Sequence, residues 1–541
     1  MISDIISIYN MIFFMNKKLL LILFGISGMT ALIYEIIWIR PLSLVFGTTV
    51  YAVSTIVASF ILGLAIGSWI AGRYSDRLQN PLKYFALIQI AVGFFGILLL
   101  PIFNLMPSVY LDLYHLTYPN QSIFMITQIL MSMMIIAIPA TLMGTTLPLM
   151  MKTYSTEFTN IGKDVGKLDA SNSTGAFFGT LAAGFLIIPL LGIHDGIMLT
   201  ASINIIMGII ILITKKYLNL KYVSIILIIV IPLMIFYPSY DEKYLIGSVY
   251  RASLGYTIET YEASIESNEL LFYEESLYQN VAVTSYENDQ RSLKLDGKAQ
   301  CDTSDYTTRG LINMGYLPFT LYSQNYGSPQ TALNIGLGCG TTSYVLGNNL
   351  KTTTIEIDSA VVRANSFFHD SIDHELIIDD ARNWLLRNNE KFDIITSEPT
   401  EPWMAWNMYT KEHFEILSNS LTENGLVSQW IPVYELHAED SLLIMYNTFH
   451  SVFPYVYVYT MESGDSSQLI FIGSQHELKI EESDDYIFNQ DDVVNTKTEL
   501  NTDNKPIIEF ATIDALYSKS KNPISFPFNN EDVYEKLNLL S

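Results

Sequence analysis

Charge is nearly absent from the first 240 residues of this chain, and that asymmetry limits the fold more than any motif does. Residues 1–240 hold 12 Lys or Arg and 8 Asp or Glu, whereas the rest of the 541-residue chain holds 18 and 46, so the balance swings from +4 to −28. Apolar runs of about 20 residues with few charges are long enough to cross a bilayer as helices, while an acidic stretch of mixed polarity needs water around it. The sequence therefore predicts a multi-span α-helical membrane domain followed by an α/β domain, and a protein of the cell membrane, multi-pass, in contact with the lipid bilayer. An acidic second half also argues against a nucleic-acid partner, because phosphates are bound by basic patches.

Seven spans are expected, at 19–39, 49–72, 84–103, 123–151, 173–192, 194–214 and 222–238. The apolar segment before Lys17-Lys18 resembles a leader, but it lacks a small-residue cleavage site, so the first span is read as retained. Pro139, Gly144 and Pro148 predict that the fourth span is kinked or divided. Gly63, Ala65 and Gly67 in the second span, and Gly175, Gly179 and Gly184 in the fifth, would let helix backbones approach closely. Arg73, Lys152 and Lys215 fall in alternate connections, which puts the amino terminus in the cytoplasm. Seven crossings would then place the second half outside, and one span more or fewer reverses the answer. Glu35, beside Tyr34 and Trp38, is either a functional acid at membrane depth or an interfacial one paired with Arg40.

The second half changes period. Short runs at Tyr256–Tyr261, Glu269–Tyr273, Val281–Tyr286 and Ser292–Leu295, with turns at Asn288-Asp289 and Asp296-Gly297, read as a small antiparallel β subdomain. A helix is expected over 305–322. Four β-branched-rich runs follow, Ala332–Gly336, Thr352–Ile357, Glu375–Ile378 and Phe392–Thr396, separated by helix-length segments. That is the pattern of a Rossmann-like doubly wound sheet, with the strand Leu426–Ile431 set between helices at 410–421 and 437–450. The tail Glu481–Asn504 reads as an exposed acidic loop. The division is thus 1–240 transmembrane, 241–304 linker and β subdomain, and 305–541 Rossmann-like domain. Cys301 and Cys339 show no metal spacing and give no argument for a disulfide.

In a doubly wound sheet, ligands bind beyond the carboxyl ends of the strands. Here those ends are Gly336, Gly338 and Gly340 after the first run, Glu356 and Asp358 after the second, Asp379 and Asp380 after the third, and Glu398 after the fourth. The glycines let backbone approach a ligand, Glu356 is placed to accept from two ribose hydroxyls, and Asp380 could accept from an adenine amino group. Glu398 and Glu401, stiffened by Pro399 and Pro402, could grip an amine and take its proton. Trp403, Trp430 and Tyr434 could wall the pocket or belong to the core.

These residues carry a resemblance. Ser276-Leu277-Tyr278-Gln279-Asn280, Leu295-Asp296-Gly297-Lys298-Ala299-Gln300, Asn334 to Gly340, Ile355-Glu356-Ile357-Asp358, Asp380-Ala381-Arg382 and Phe392 to Trp403 resemble, in order, the motifs of the spermidine/spermine synthase family. The match spans about residues 19–460 and is to the membrane-fused branch, in which a helical region precedes the synthase-like domain. The resemblance implies a sheet of the class I methyltransferase type and an aminopropyltransferase that uses decarboxylated S-adenosylmethionine and a small-molecule amine, with no metal. It implies that Gln279, Gln300, Glu356 and Asp380 contact the cofactor. Glu398 would stand for the amine-activating acid, Glu401 for the amine-holding one, and Asp305 for the acid after the Gln300 motif. The soluble relatives' dimers leave a homodimer open. Both loop acids are glutamates here where the family has aspartates, and Arg309-Gly310-Leu311 replaces its Tyr-His-Glu. The alternatives are a methyltransferase using ordinary S-adenosylmethionine, or a polyamine or nucleoside sensor or transporter without turnover.

Overall fold

The computed structural model describes residues 17–217 except 48–49, 118–119 and 156–159, short pieces between 228 and 252, and 257–517 except 287, 401, 437–440, 463–464, 481–485, 490–492 and 494–498. The chain forms two compact units, Met1–Ile265 and Glu266–Ser541.

The first unit is helical. Its long helices are α1 (Lys17–Phe46), α2 (Val50–Tyr74), α3 (Pro81–Thr117), α4 (Gln121–Gly144), the short α5 (Thr146–Tyr154), α6 (Ile161–Ala182) and α7 (Ile188–Thr214). Among the described residues, five stretches are long and apolar enough to cross a membrane, where the sequence predicts seven. The fourth predicted span is divided at Thr145. The fifth and sixth are one stretch, Ile161–Thr214, broken at Gly192, whose φ of 75° is left-handed and suits glycine. The seventh lies outside the described residues apart from Ile228 and Pro232. A Cβ on Gly196 would lie 2.7 Å from Ile187 Cγ2, although nine residues of helix would separate the two by about 13 Å, so the chain bends back at Gly192.

Helix packing in this unit uses the expected small residues. A Cβ on Gly175 would sit 1.8 Å from the Gly25 carbonyl oxygen, and one on Gly67 1.9 Å from that of Thr141. Backbones meet directly at both points, which in a lipid setting replaces the hydrophobic drive that helices have in water. Gly184, by contrast, has nothing within 4 Å. Polar pairs add specificity: Thr30 Oγ1 donates to Asn204 Oδ1 (2.8 Å) and Gln89 Nε2 to Ser27 Oγ (2.6 Å). Glu35 is half-buried.

One expected strand in this unit is a helix. The alternation over 256–261 predicts a strand, but Ile258–Glu266 is helical, with Tyr261 and Ile265 on the buried face. Their spacing of four belongs to the 3.6-residue period, and Thr257 Oγ1 accepts from Thr260 N to open the turn.

The second unit begins with an antiparallel sheet, β1 (Glu269–Glu275), β2 (Asn280–Ser285), β3 (Arg291–Leu295) and β4 (Lys298–Asp302), in that order. Both expected turns are present: Asn288, Asp289, Asp296 and Gly297 all have positive φ, as tight hairpins with right-handed strand twist require. Then come α8 (Asp305–Tyr326), β5 (Thr331–Ile335), α9 (Thr341–Gly347), β6 (Lys351–Glu356), α10 (Ser359–Ala364), β7 (Glu375–Ile378), α11 (Ala381–Arg387), β8 (Phe392–Ser397), α12 (Lys411–Asn419), β9 (Leu421–Ile431), α13 (Ser441–His450), β10 (Tyr455–Glu462), β11 (Asp465–Ser474), β12 (Tyr486–Asn489) and α14 (Ile507–Tyr517).

Their sheet runs β12-β10-β11-β9-β8-β5-β6-β7. Strands β5 to β9 pair in parallel, and β9, β11, β10 and β12 antiparallel, which is the class I methyltransferase arrangement with one extra edge strand. Both faces are covered. Leu469 and Phe471 join one apolar cluster while Ile470 and Ile472 join another, as the two-residue period of a strand demands. The order reverses at β5, whose neighbours are β6 and β8. That switch point opens a crevice at the carboxyl ends of these strands. The tail expected to be an exposed loop is in part ordered: β12 pairs with β10, and Asn501 is fully buried.

Candidate active site

At the switch point lies a cavity of about 620 Å³, and the hairpin strand β4 covers one side of it. Gln279, Gln300, Gly336, Gly338, Gly340, Glu356, Asp380, Glu398 and Tyr434 all line it. Seven separate chain segments therefore meet in one hollow.

The glycine turn is held between its neighbours. Gly336 N donates to Ile355 O (2.9 Å) and Glu398 N to Ile335 O (3.2 Å), so the turn is stitched to the ends of β6 and β8. Gly336 has φ 89°, and a Cβ there would approach the Glu398 carbonyl oxygen to 3.2 Å. Gly340, φ 84°, would drive a Cβ to 2.5 Å from Asn365 Nδ2. Both positions need glycine for backbone conformation and for space.

Glu356 ends β6 with 7% of its surface exposed. Its Oε2 accepts from Leu337 N (2.9 Å) and its Oε1 from Asp358 N (2.9 Å). Burial raises its pKa, and these backbone donors oppose the rise. Each oxygen keeps a second lone pair, so an oriented carboxylate can still accept from two hydroxyls. Asp358 continues the network: its Oδ2 accepts from Ser276 Oγ (2.5 Å), which fixes the turn carrying Gln279. Asp380 is the N-cap of α11, its Oδ1 accepting from Asn383 N (2.7 Å).

Glu398 is chemically the most distinctive group. Its Oε1 is buried without a hydrogen-bond partner among the described residues. Burial pushes its pKa up to about 7, with the Thr342 hydroxyl pulling the other way. A carboxyl held near neutrality inside a cavity can exchange protons at physiological pH. The turn after it is tied to β4, because Gln300 Nε2 donates to Thr400 Oγ1 (3.2 Å).

Two sequence candidates, Asp305 and Trp403, lie off the cavity lining. Asp305 is exposed in the first turn of α8, and its neighbours Asp302, Tyr306 and Thr307 line the cavity instead. The helix starts at 305 because Ser304 caps it, which turns the Asp305 side chain away. Trp403 is buried at 5% exposure and does not line the cavity. Glu401 lies outside the described residues.

Trp430, a sequence candidate, also lines the cavity, and Lys298, Asp302, Glu462 and Gln468 line it beyond those candidates. Lys298 Nζ lies 5.6 Å from the Tyr434 ring centroid, and Trp430 Nε1 donates to Gln468 Oε1 (3.0 Å). Glu462 ends β10 and pairs with Arg309 Nε (2.7 Å). Asp302 and Lys298 could have been flagged from Gln300, since all lie on β4; Glu462 and Gln468 carry no local signal, because the β10–β11 hairpin reaches the crevice only through the sheet order.

The two cysteines correct the sequence reading. Cys301 and Cys339 form a disulfide, with Cα atoms 6.1 Å apart. They are 38 residues apart in sequence, and only the return of the chain from α8 into β5 brings the end of β4 onto the glycine turn. The bond cross-links two walls of the cavity, as both cysteines line it.

Residues 324–481 match the model of the spermine/spermidine synthase domain. The chain is 31% identical to thermospermine synthase ACAULIS5 of Arabidopsis thaliana over 36% of its own length and 61% of that protein's. It is 30% identical to the polyamine aminopropyltransferase of Thermoplasma volcanium over 34% of its length and 69% of the relative's. With the polyamine aminopropyltransferase of Corynebacterium efficiens it shares 23% identity over 76% of each chain, a match of 432 residues that exceeds the second unit and so reaches the helical one. Among solved structures, a spermidine synthase in complex with the transition-state analogue AdoDATO aligns over 50% of this chain and 89% of its own at 18% identity and a TM-score of 0.35.

Proposed function

Because the chain belongs to the spermine/spermidine synthase family, we propose that its second unit moves an aminopropyl group from decarboxylated S-adenosylmethionine to a small amine such as putrescine, with Glu398 as the proton acceptor. The observation that carries this reading is a buried carboxyl poised near pH 7 in the same cavity as the glycine turn and Glu356. The glycine turn and Glu356 suit a nucleoside, with Gln279, Gln300 and Asp380 around it. Glu398 suits the amine, which must lose a proton before it can attack.

In the step itself, the amine nitrogen lone pair forms a bond to the carbon next to the sulfonium, the carbon–sulfur bond breaks in line, and its electrons return to sulfur. Methylthioadenosine leaves neutral, and the proton of the amine goes to Glu398. The residues of the cavity supply position, a proton acceptor and a negative setting for a cationic pair; Tyr434 contributes an aromatic face. The five apolar helices support anchorage of this chemistry to a bilayer.

Full-length protein in detergent, given decarboxylated S-adenosylmethionine labelled in the aminopropyl carbons together with putrescine, cadaverine, agmatine or spermidine, tests the proposal. The expected outcome is labelled polyamine plus methylthioadenosine. Methyl transfer from ordinary S-adenosylmethionine, with none from the decarboxylated form, overturns it.

A further inference from the structure

The segment 402–410 supplies Met404, Ala405, Asn407 and Met408 to the cavity wall, but it has little regular backbone pairing of its own. Met408 N reaches Ala405 O (2.8 Å) and Tyr409 N reaches Trp406 O (3.1 Å), which close only short turns. Its place is fixed from outside, by side chains of a segment almost 100 residues further along.

Asn501 is fully buried and uses every polar group it has. Its Nδ2 donates to Tyr409 O (2.8 Å), its carbonyl accepts from Lys411 N (2.9 Å), its N–H donates to Thr448 Oγ1 (2.9 Å) and its Oδ1 accepts from Ile508 N (3.2 Å). Two residues on, Asp503 Oδ1 accepts from Thr410 Oγ1 (2.7 Å) and from Arg382 Nη1 (3.0 Å), while its Oδ2 takes Arg382 Nη2. Arg382 Nη1 also donates to Asn407 O (3.0 Å), a carbonyl in the cavity-lining segment. The Tyr409 hydroxyl reaches back to the carbonyls of Pro399 and Thr400, both at 3.4 Å, next to Glu398. Asn501 and Asp503 thus connect α11, the segment 402–410 and the turn after β8.

We propose that Asn501 and Asp503 form a strap that positions the cavity wall: through Arg382, Asn407 and Tyr409 it holds 402–410, and with it the turn beside Glu398, in the geometry that group transfer needs. The strap lies beyond the residues matched by the family model. Neither residue lines the cavity, so both act through other groups and are positioning residues. The inference rests on the aminopropyl-transfer reading for its kinetic consequence but not for its structural one. A charged fork fits the task because Arg382 holds a carboxylate with two nitrogens and keeps a further contact to a backbone carbonyl. The fully buried His413 next to this pair is held neutral, its pKa pushed down to about 3 first by burial and then by Arg382, so Asp503 is the anion that Arg382 answers to.

The test uses the full-length protein with Asp503→Ala and the isosteric Asp503→Asn, which keeps the Oδ1 acceptor for Thr410. Three quantities are read: kcat for transfer, Kd for methylthioadenosine, and amide hydrogen exchange across 402–410. Asp503→Ala is expected to lower kcat about 10- to 100-fold. Its Kd should stay within about threefold of wild type, because the nucleoside wall stands on other strands. Exchange in 402–410 should speed up about tenfold or more. Asp503→Asn, which loses the charge and turns an amide donor toward Arg382 Nη2, should show a clear but smaller loss of each kind than Asp503→Ala, and it serves alone if the alanine variant does not fold. Unchanged exchange and kcat in either variant overturns the strap, as does a rise in Kd that matches the fall in kcat. If the wild-type protein transfers nothing from decarboxylated S-adenosylmethionine, the transferase reading fails, and the exchange measurement still decides the strap.

Discussion

The two units bury polar groups for different ends. In the helical unit pairs of buried hydroxyls and amides join helices, as Thr30 does with Asn204 and Gln89 with Ser27, and close contact is made by glycine against backbone. In the α/β unit buried carboxylates gather at strand ends, and one of them, Glu398, has an oxygen that nothing among the described residues satisfies. A satisfied polar group specifies packing; an unsatisfied acid facing a cavity stores the capacity to bind or move a proton. The comparison separates residues that hold the molecule together from residues placed at its cavity.

The sharpest way to break that comparison is to remove the unsatisfied acid. Glu398→Gln keeps shape and should cost about 10²- to 10⁴-fold in transfer, while methylthioadenosine still binds; unchanged turnover would return Glu398 to the class of packing residues. In the wild type, kcat/KM should climb as pH rises through about 7, where Glu398 loses its proton, and Glu398→Gln should lack that limb. The same raised pKa has a sign for stability. The folded state gains from a protonated Glu398 below the ordinary carboxylate range and loses that gain as pH passes about 7, so Glu398→Gln should be the more stable protein above pH 7.

Three further variants sharpen the contrast through cross-links, packing and surface charge. Replacing both Cys301 and Cys339 by serine should lower the stability of the second unit by roughly 2–4 kcal/mol, read by denaturant titration, since the closed loop is long. Gly67→Leu drives a side chain into the Thr141 carbonyl and should destabilise the helical unit by about 1–3 kcal/mol with methylthioadenosine affinity unchanged. Equal losses in both properties would mean that the units are not separable in function. The smallest effect is expected at Lys505→Ala, which removes an exposed pair with Glu499 and should shift stability by less than about 1 kcal/mol.

Much of this was legible in the sequence where local period and local chemistry agree. Glu375–Ile378 is read to the residue, and the parallel strands announce themselves by β-branched runs ending in glycine or acid. Glu356 and Glu398 could be placed in one crevice because strand ends in a doubly wound sheet share an edge. What escaped the reading is what depends on chain return. Cys301 meets Cys339, Asp503 meets Arg382 and Glu462 reaches the crevice only after distant strands pair, and no spacing records such meetings. Asp305 lies off the cavity for a local reason instead, since the Ser304 cap sets where the first turn of α8 begins. Ile258–Glu266 shows a related error, two periods read from too few residues.

The Cys301–Cys339 bridge gives the pocket a dependence on its surroundings that no hydrogen bond there has. Thiol-rich cytosol keeps such bonds open, whereas secreted and periplasmic faces preserve them. A glycine turn pinned covalently to the hairpin therefore ties the shape of the cavity to the redox state around it, since abundant glutathione favours open thiols and its scarcity favours the bridge.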